Sequence, residues 1–504
     1  MFPLTIRIGS QEEFAAARAV FTRTGYVEKA VCERYGVKAI REMTRVNDPT
    51  EPAEAPGDGL GVLCQLFLDG RCVGEAEIER LLPEGAGAAL ERLGLIVRSK
   101  DDERKWCASV FLCPTNDVLL ASDRWTHPDG SPFHASEDIV YPGHVQNTQL
   151  FLSVLPESPC EHFLDLCAGS GIAGMVASRY ARKVSSFDIA ERSTRFAGFN
   201  AKLNGICNLT TGTGDLYEPA GEEGFDRIAA HPPYVPVHRP RYIFDSGGED
   251  GEQVTRRIVE GLPRYLRPGG RFYAVCFATE RKGADLNSRL REWLGEAQGE
   301  FDTALVIRKR LTPTEMAEQA AIREGGGRKL VLDWEGTLAR LEVESAVYGA
   351  IVIQRRTSAR AVFDVRRESS NGSGREEIEW LIRWETRSRE EGAAELILGS
   401  RFQARRATSF HVAHRLEGNR WVPDSYSLDT EYPFAGRSTG QPWTALLVAR
   451  CDGSRTGMEL YESLRAEGVL SEQVTAVQFA AAVQPLISIG YIELDRFSLP
   501  RAEG

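Results

Sequence analysis

The sequence predicts an α/β protein whose centre is a doubly wound, mostly parallel sheet, flanked by a mixed N-terminal module and a C-terminal winged-helix-like module. Three observations predict it. Apolar strand-like runs recur between about 160 and 280 with helix-compatible stretches between most of them, the alternation of a parallel sheet covered on both faces. A glycine-rich turn follows the first of these runs and opens a helix. The 504 residues also exceed what one core usually organises, so several domains are expected. Boundaries near 135 and 356 divide the chain into 1–135, 136–356 and 357–504.

Taken in order, residues 10 to about 45 read as helical. Ser10 and Glu13 have capping-box spacing ahead of the run FAAARAVF, which satisfies orphan amides at a helix start. The stretch NDPTEPAEAPGDG reads as a loop, and Leu60 to Val97 as short helices ending in GLIV. WCASVFLC and DVLLASD read as two strands around a Pro-Thr-Asn turn. The central strands are HFLDLC (162–167), KVSSFD (183–188), NLTTGT (208–213), DRIAAH (226–231) and RFYAVCF (271–277). IAGMVASRYA (172–181) and VTRRIVEGLPRYL (254–266) supply helices between them, and ALVIRKR (304–310) and YGAIVIQRR (348–356) are later strands able to complete the sheet. ESSNGSG marks a flexible boundary. The last 60 residues read as the helices WTALLVAR, TGMELYESLRAE and TAVQFAAAVQPLIS ending in GYIEL, with Thr456 as an N-cap.

Composition excludes several classes. With 42% hydrophobic and 26% charged residues the chain is neither disordered, collagen-like nor a coiled coil. Lys plus Arg number 61 against 72 acids, and a net charge of −11 argues against a whole-surface DNA clamp. No apolar run approaches the roughly 20 residues that span a bilayer, and the N-terminus lacks a signal-peptide pattern. The ten cysteines form no CxxC, so a cytoplasmic chain with reduced thiols, no disulfide framework and no metal site is expected. The sequence assigns no oligomeric state.

The chemistry centres on Asp165-Leu-Cys-Ala-Gly169-Ser-Gly171-Ile-Ala-Gly174. Glycines let the backbone turn tightly and approach a ligand with no Cβ in the way. The spacing fits the dinucleotide fingerprint, and Asp188 ends the next strand, where a carboxylate accepts from ribose hydroxyls. On this segment alone an NAD-dependent oxidoreductase and an S-adenosylmethionine enzyme stand level. Three features favour the second. Asp165, just before the turn, repels a pyrophosphate and pairs with a charged amino-acid end. Asp215 after the third strand can accept from an adenine amino group. The fourth strand runs into His231-Pro232-Pro233-Tyr234, where prolines fix φ and present rigid carbonyls, and Tyr234 offers a flat face for stacking.

At these residues the sequence resembles the class I S-adenosylmethionine-dependent methyltransferases, which have a Rossmann-like sheet. Within them it is similar to the branch with an Asn/Asp-Pro-Pro-Tyr/Phe motif: release-factor glutamine, ribosomal RNA guanine and adenine-N6 DNA methyltransferases. The likeness covers about 140–356 and takes in YPGHVQNTQLF with Gly143–Thr148, Ser246-Gly-Gly-Glu-Asp-Gly251, and Leu266-Arg-Pro-Gly-Gly270. It implies that Gly169, Gly171 and Thr148 approach the cofactor alongside Asp165, that Asp188 holds the ribose, and that Asp215 holds the adenine. It further implies N-methylation of a planar amide or exocyclic amine by His231, Pro232, Pro233 and Tyr234, with no metal. The substrate is then a macromolecule, protein glutamine or RNA base, chosen by the flanking modules, with 1–135 as a substrate-recognition module. The departure is His231, where the family has Asn, Asp or Ser. A neutral imidazole replaces one acceptor bond, takes up the released proton near its ordinary pKa of about 6.5, or marks a silent cofactor-binding protein.

Weaker signals remain. His411 and His414 form an HxxH pair without a third ligand, Cys167 lies in the glycine turn as small filler or thiol, and Asp245 and Asp250 flank the Gly-Gly turn. Residues 355–415 hold 13 Arg, no Lys and 9 acids, a stretch that fits RNA contact or a solvated face.

Overall fold

Five parallel strands form the part of an eleven-stranded mixed sheet on which the glycine turn sits: β1 (Cys160–Leu166), β2 (Ala181–Asp188), β3 (Leu209–Thr213), β4 (Phe225–Ala230) and β5 (Leu266–Arg281). Their order is β5-β4-β1-β2-β3 and every pairing is parallel. Burial follows position. In β1 and β4, at the centre, Phe163, Leu164, Leu166, Ile228, Ala229 and Ala230 are buried, whereas β3 at the edge is polar and half-exposed, as sheet edges generally are. The order reverses between β1 and β4, which opens a crevice at their carboxyl ends.

The computed structural model describes residues 6–43, 55–125, 135–245, 247–370, 373–405 and 408–498. The chain divides into two compact units, Met1–Gln298 with Leu311–Ala346 and Gly299–Arg310 with Val347–Gly504. Ser246, Asn371 and Gly372, parts of two stretches singled out above, lie outside the described residues.

In the first unit the N-terminal segment and the central sheet share one core. Helix α1 (Gln11–Arg23) starts at the Ser10 capping box, with Glu13 N donating to Ser10 Oγ at 3.2 Å and Ser10 N to Glu13 Oε2 at 2.8 Å. Its inner face packs Phe14 edge-on to Phe199, centroids 5.3 Å apart, on the helix Glu191–Leu203. Two asparagines, Asn200 in that helix and Asn204 at its C-cap, reach further. Asn204 bonds the Leu119 backbone in both directions, and buried Asn200 accepts from Ala121 N at 2.9 Å and donates to Ala121 O and Ser170 O. The hairpin strand Val118–Ser122 is thereby clamped to the glycine turn.

Several local expectations shift. WCASVFLC is two strands, Lys105–Ala108 and Phe111–Thr115, because Ser109 N turns aside to Leu95 O at 3.0 Å. Pro114 and Thr115 belong to the strand, and the turn is Asn116-Asp117, both with positive φ (50° and 58°) as a two-residue hairpin requires. Cys72 and Cys107 form a disulfide, which corrects the expectation of reduced thiols throughout. Antiparallel pairing of Val73 with Trp106 brings the two cysteines together over 35 residues of sequence, a proximity that local spacing does not reveal.

The second unit contains most of Phe301–Leu311 and of Val343–Arg355, strands as expected, followed by Asp364–Ser369 and a long hairpin, Ser409–Glu417 with Arg420–Thr430. The three tail helices are Pro442–Ala449, Gly457–Ala466 and Ala476–Ile489, and Thr456 caps the second through Glu459 N. Their sheet places Arg401–Ala404 between Asp452–Thr456 and Ile492–Leu494, so its middle strand comes from upstream of the tail. Several arginines of 355–415 are answered within this unit: Arg355 by Glu300, Arg360 by Asp302, Arg367 and Arg389 by Glu385, and Arg405 by Glu493.

Candidate active site

Register brings the four strand ends level. Leu166 pairs with Phe187 and with Ala230, and Asp188 pairs with Thr213. Cys167 and His231 therefore leave the sheet side by side, while Asp188 and Asp215 emerge along the same edge.

The turn after β1 is built by left-handed residues: Cys167 at φ 57°, Gly169 at 52° and Gly171 at 81°. Gly171 is glycine for space as well, since a Cβ there would meet Ala197 Cβ at 2.7 Å. At Gly169 no atom lies within 4 Å of a Cβ position, so the turn faces open space. Cys167, a non-glycine in this region, carries backbone strain of about 1–2 kcal/mol, of the kind that collects at functional sites. Its thiol is pushed well up by burial and the nearby Asp188 and Asp165, which favours the protonated form over a thiolate nucleophile.

Two carboxylates shape this turn from inside. Asp165 is buried and its Oδ2 accepts from Gly174 N at 2.9 Å, which fixes the start of the short helix Ile172–Ala177. That helix ends four residues before the expected 181 because the chain turns at once into β2. Burial pushes the Asp165 carboxyl up to about 7 against the lowering effect of Gly174 N, and Asp188 adds to the rise. Asp188 accepts from Gly169 N at 2.8 Å and Ala190 N at 2.9 Å, and burial raises its pKa as well. Asp215 is half-exposed and receives Arg257 at 2.6 Å, from the helix Gln253–Tyr265.

The tetrapeptide after β4 lies against the helix Gln146–Val154. Phe151 stacks on the His231 imidazole, centroids 5.2 Å apart and 10° from parallel, and Asn147 Nδ2 donates to the Tyr234 hydroxyl at 3.1 Å. Thr148, between them on the helix, is buried. The Tyr234 ring tilts over His231 at 5.6 Å. His231 Nε2 is shielded from solvent and has no hydrogen-bond partner, and burial lowers the ring's pKa to about 4. The imidazole is therefore neutral at pH 7 and too weak a base to store the released proton. The Gly-Gly segment folds back on the same tetrapeptide: Gly247 N donates to Val235 O, and a Cβ at Gly251 would strike Tyr234 O at 2.5 Å.

Behind this loop is a network the sequence did not announce. Buried Glu252 accepts from Thr279 N, Thr279 Oγ1 and Arg289, and Arg281 joins it while also holding Asp250. Asp250 is thus a loop-holding residue, and the one readable trace of Glu252 was its place directly after the Gly-Gly segment. Asn147 and Asn200 were also missed, since each acts on a partner far along the chain. His411 and His414 lie three apart on one strand, so their side chains project from opposite faces and cannot share a metal. No metal-holding cluster occurs among the described residues, and no described helix is long and apolar enough to cross a membrane.

Residues 143–299 match the family model of the methyltransferase small domain. Among curated proteins, the ribosomal protein uL3 glutamine methyltransferase of Bradyrhizobium diazoefficiens is 34% identical over 124 residues, 22% of this chain and 39% of that protein. The release factor glutamine methyltransferase of Thermodesulfovibrio yellowstonii is 33% identical over 121 residues, 21% and 43% of the two chains. A putative protein N5-glutamine methyltransferase of Methanocaldococcus jannaschii is 32% identical over 134 residues, 25% and 66%. The chain thus spans less than two thirds of the length of these relatives. With the glycine turn, two acids and the proline tetrapeptide at consecutive strand ends, residues 143–299 have the sequence and the strand-end arrangement that the methyltransferase small domain model matches.

Proposed function

We propose that the chain is an S-adenosylmethionine-dependent N-methyltransferase whose substrate is the side-chain amide of a glutamine in a protein. One observation carries the reading: the glycine turn and His231-Pro232-Pro233-Tyr234 leave β1 and β4 side by side, at the crevice where the strand order reverses. The residues fit the cofactor. Open space at Gly169 admits a ligand against the backbone, Asp188 and Asp215 lie along its length, and Thr148 lies on the helix against the tetrapeptide. Bound there, S-adenosylmethionine supplies an activated methyl group on a positively charged sulfur.

This chain's residues then need only orient the nucleophile and exclude water. In its Nδ1–H tautomer His231 offers Nε2 as an acceptor for one amide hydrogen, and the Pro232 carbonyl accepts the other, which directs the nitrogen lone pair at the methyl. The sulfur–methyl bond breaks as the nitrogen–methyl bond forms, and the surplus proton on nitrogen passes to bulk water as S-adenosylhomocysteine leaves. A buried acceptor without a partner costs about 1–3 kcal/mol, and an arriving N–H offsets that cost. Phe151 and Asn147 hold the imidazole and Tyr234 in place. Protein is favoured over RNA because several arginines of the Arg-rich stretch already pair with acids of their own unit and the chain carries a net charge of −11. The relatives' names point to release factors and ribosomal protein uL3 as the first substrates to try.

Incubation with methyl-labelled S-adenosylmethionine and whole-cell extract, followed by protease or ribonuclease, tests the proposal. Label released by protease and recovered as N5-methylglutamine is expected. Label released by ribonuclease overturns the protein assignment, and no incorporation despite cofactor binding marks a silent binding protein. His231→Ala is expected to lower kcat at least tenfold with cofactor affinity unchanged.

A further inference from the structure

We propose that the hairpin of the second unit is a self-association edge, at which Ser409–Glu417 pairs antiparallel with the same strand of a second copy of this chain. Ser409–Glu417 lies at the end of its sheet order, and all nine of its residues are exposed. Its outer N–H and C=O groups are therefore a template for another strand. Long edges are commonly blunted by proline, lysine or shortness. SFHVAHRLE has no proline and no lysine, its charges Arg415 and Glu417 lie at one end, and its register shift comes from one extra residue, Asp424, on the opposing strand.

The hairpin is also amphipathic in an unusual sense. Directly opposed residues share a face, so Phe410 with Leu428, Val412 with Tyr426, His414 with Pro423, and Leu416 with Trp421 form one side. That side is open towards the hairpin's tip, where Trp421 is 69% and Leu416 55% exposed, and is covered at its base, where Leu428 is buried. Side-chain alternation has period two, so only certain registers keep the apolar sides of two hairpins together. A two-fold pairing centred on Ala413 is one of them. It sets Phe410 opposite Leu416 twice, Val412 opposite His414, and Ser409 opposite Glu417, giving a four-stranded sheet with one continuous apolar face. His411 then faces Arg415, but His411 sits 3.2 Å from Asp429, and Arg415 is held by Glu417 and Asp424. The edge is self-complementary, as a two-fold interface requires.

Charge decides against nucleic acid. Residues 299–310 and 347–504 hold as many Asp and Glu as Lys and Arg, and Arg437 is answered by Asp429, whereas binding to phosphate needs a net positive surface. A strand-sized interface is small, so the full chain is expected to show a concentration-dependent monomer–dimer equilibrium.

Ala413→Cys in a Cys207→Ser background, which removes the one exposed free thiol, tests the register. Opposed Cα atoms in an antiparallel pair are about 4.5–5.5 Å apart, within disulfide reach, so mild oxidation should convert this variant to a covalent dimer. Ser409→Cys should not cross-link, because its two copies would stand about 27 Å apart along the strands. In sedimentation equilibrium, Leu416→Lys and Trp421→Lys should each weaken association at least tenfold. A full chain that stays monomeric at all micromolar concentrations overturns the proposal. So does cross-linking no greater for Ala413→Cys than for Ser409→Cys, or a dimer indifferent to both lysine variants. RNA binding that is lost on Trp421→Ala in a monomeric chain would instead make the hairpin a stacking platform.

Discussion

Alanine placed at Gly169 and at Gly171 should separate a ligand contact from a folding requirement within three residues. Both positions are left-handed, at φ 52° and 81°, where a Cβ costs about 1–2 kcal/mol. At Gly169 nothing stands within 4 Å of the new methyl, so that strain is the whole cost to the fold. At Gly171 the methyl would lie 2.7 Å from Ala197 Cβ and 3.1 Å from its Cα. The helix carrying Ala197 cannot yield easily, because Asn200 ties it to Ala121 and Ser170. Overpacking adds about 1–3 kcal/mol there. Urea unfolding should therefore find Gly169→Ala within about 2 kcal/mol of the parent and Gly171→Ala clearly below it, by roughly 2–5 kcal/mol. Calorimetry with S-adenosylhomocysteine should show the reverse ranking of interest: Gly169→Ala, though folded, loses at least tenfold in affinity, about 1.4 kcal/mol. Unchanged affinity in Gly169→Ala would refute the argument that this turn faces the cofactor, and equal stability of the two variants would refute the packing argument.

Three further outcomes follow from the same geometry. Asn200→Ala leaves the Ala121 amide and two carbonyls buried without a partner, and thermal or urea unfolding should show a loss of about 3 kcal/mol or more. Acidification tests the buried histidines. His144 and His231 both have pKa values lowered to about 4 by burial, so the unfolded chain takes up two protons between pH 6.5 and 4 that the folded chain refuses, and stability falls as pH falls. Asp165, raised to about 7, opposes this with one proton held by the folded state. The net slope from these three groups is roughly 1.4 kcal/mol per pH unit, and His231→Asn should cancel most of it. Finally, Cys72→Ser removes a cross-link spanning 35 residues. It should lower stability by about 2–4 kcal/mol in oxidising buffer and by nothing under reductant, read by urea unfolding.

What could be read from the sequence was what local chemistry dictates. The five central strands were placed to within five residues at each end, the buried ones because they are continuous apolar runs and polar β3 because Gly214 and Asp215 close it. The same logic found the Ser10 and Thr456 caps, whose partners are three residues away. Partner choice across the chain was not readable. Cys72 meets Cys107 only through the pairing of Val73 with Trp106. The N-terminal segment joins the central core through Phe14, Asn200 and Asn204, contacts fixed by how helix Glu191–Leu203 packs. A stretch of 13 arginines fitted RNA contact or a solvated face by composition, and which acids several of them meet, such as Glu300, Asp302 and Glu385, is set by packing. His231 illustrates both sides. Its position was evident from the prolines after it, whereas its neutrality comes from Phe151 and the burial that packing imposes.

Direct titration of the purified chain with S-adenosylhomocysteine and, separately, with reduced nicotinamide dinucleotide bears most squarely on the crevice between β1 and β4. Saturable binding of S-adenosylhomocysteine at one site per chain, weakened by Asp188→Ala and absent for the dinucleotide, is the outcome the account predicts. Tight binding of the dinucleotide with none of S-adenosylhomocysteine would contradict it.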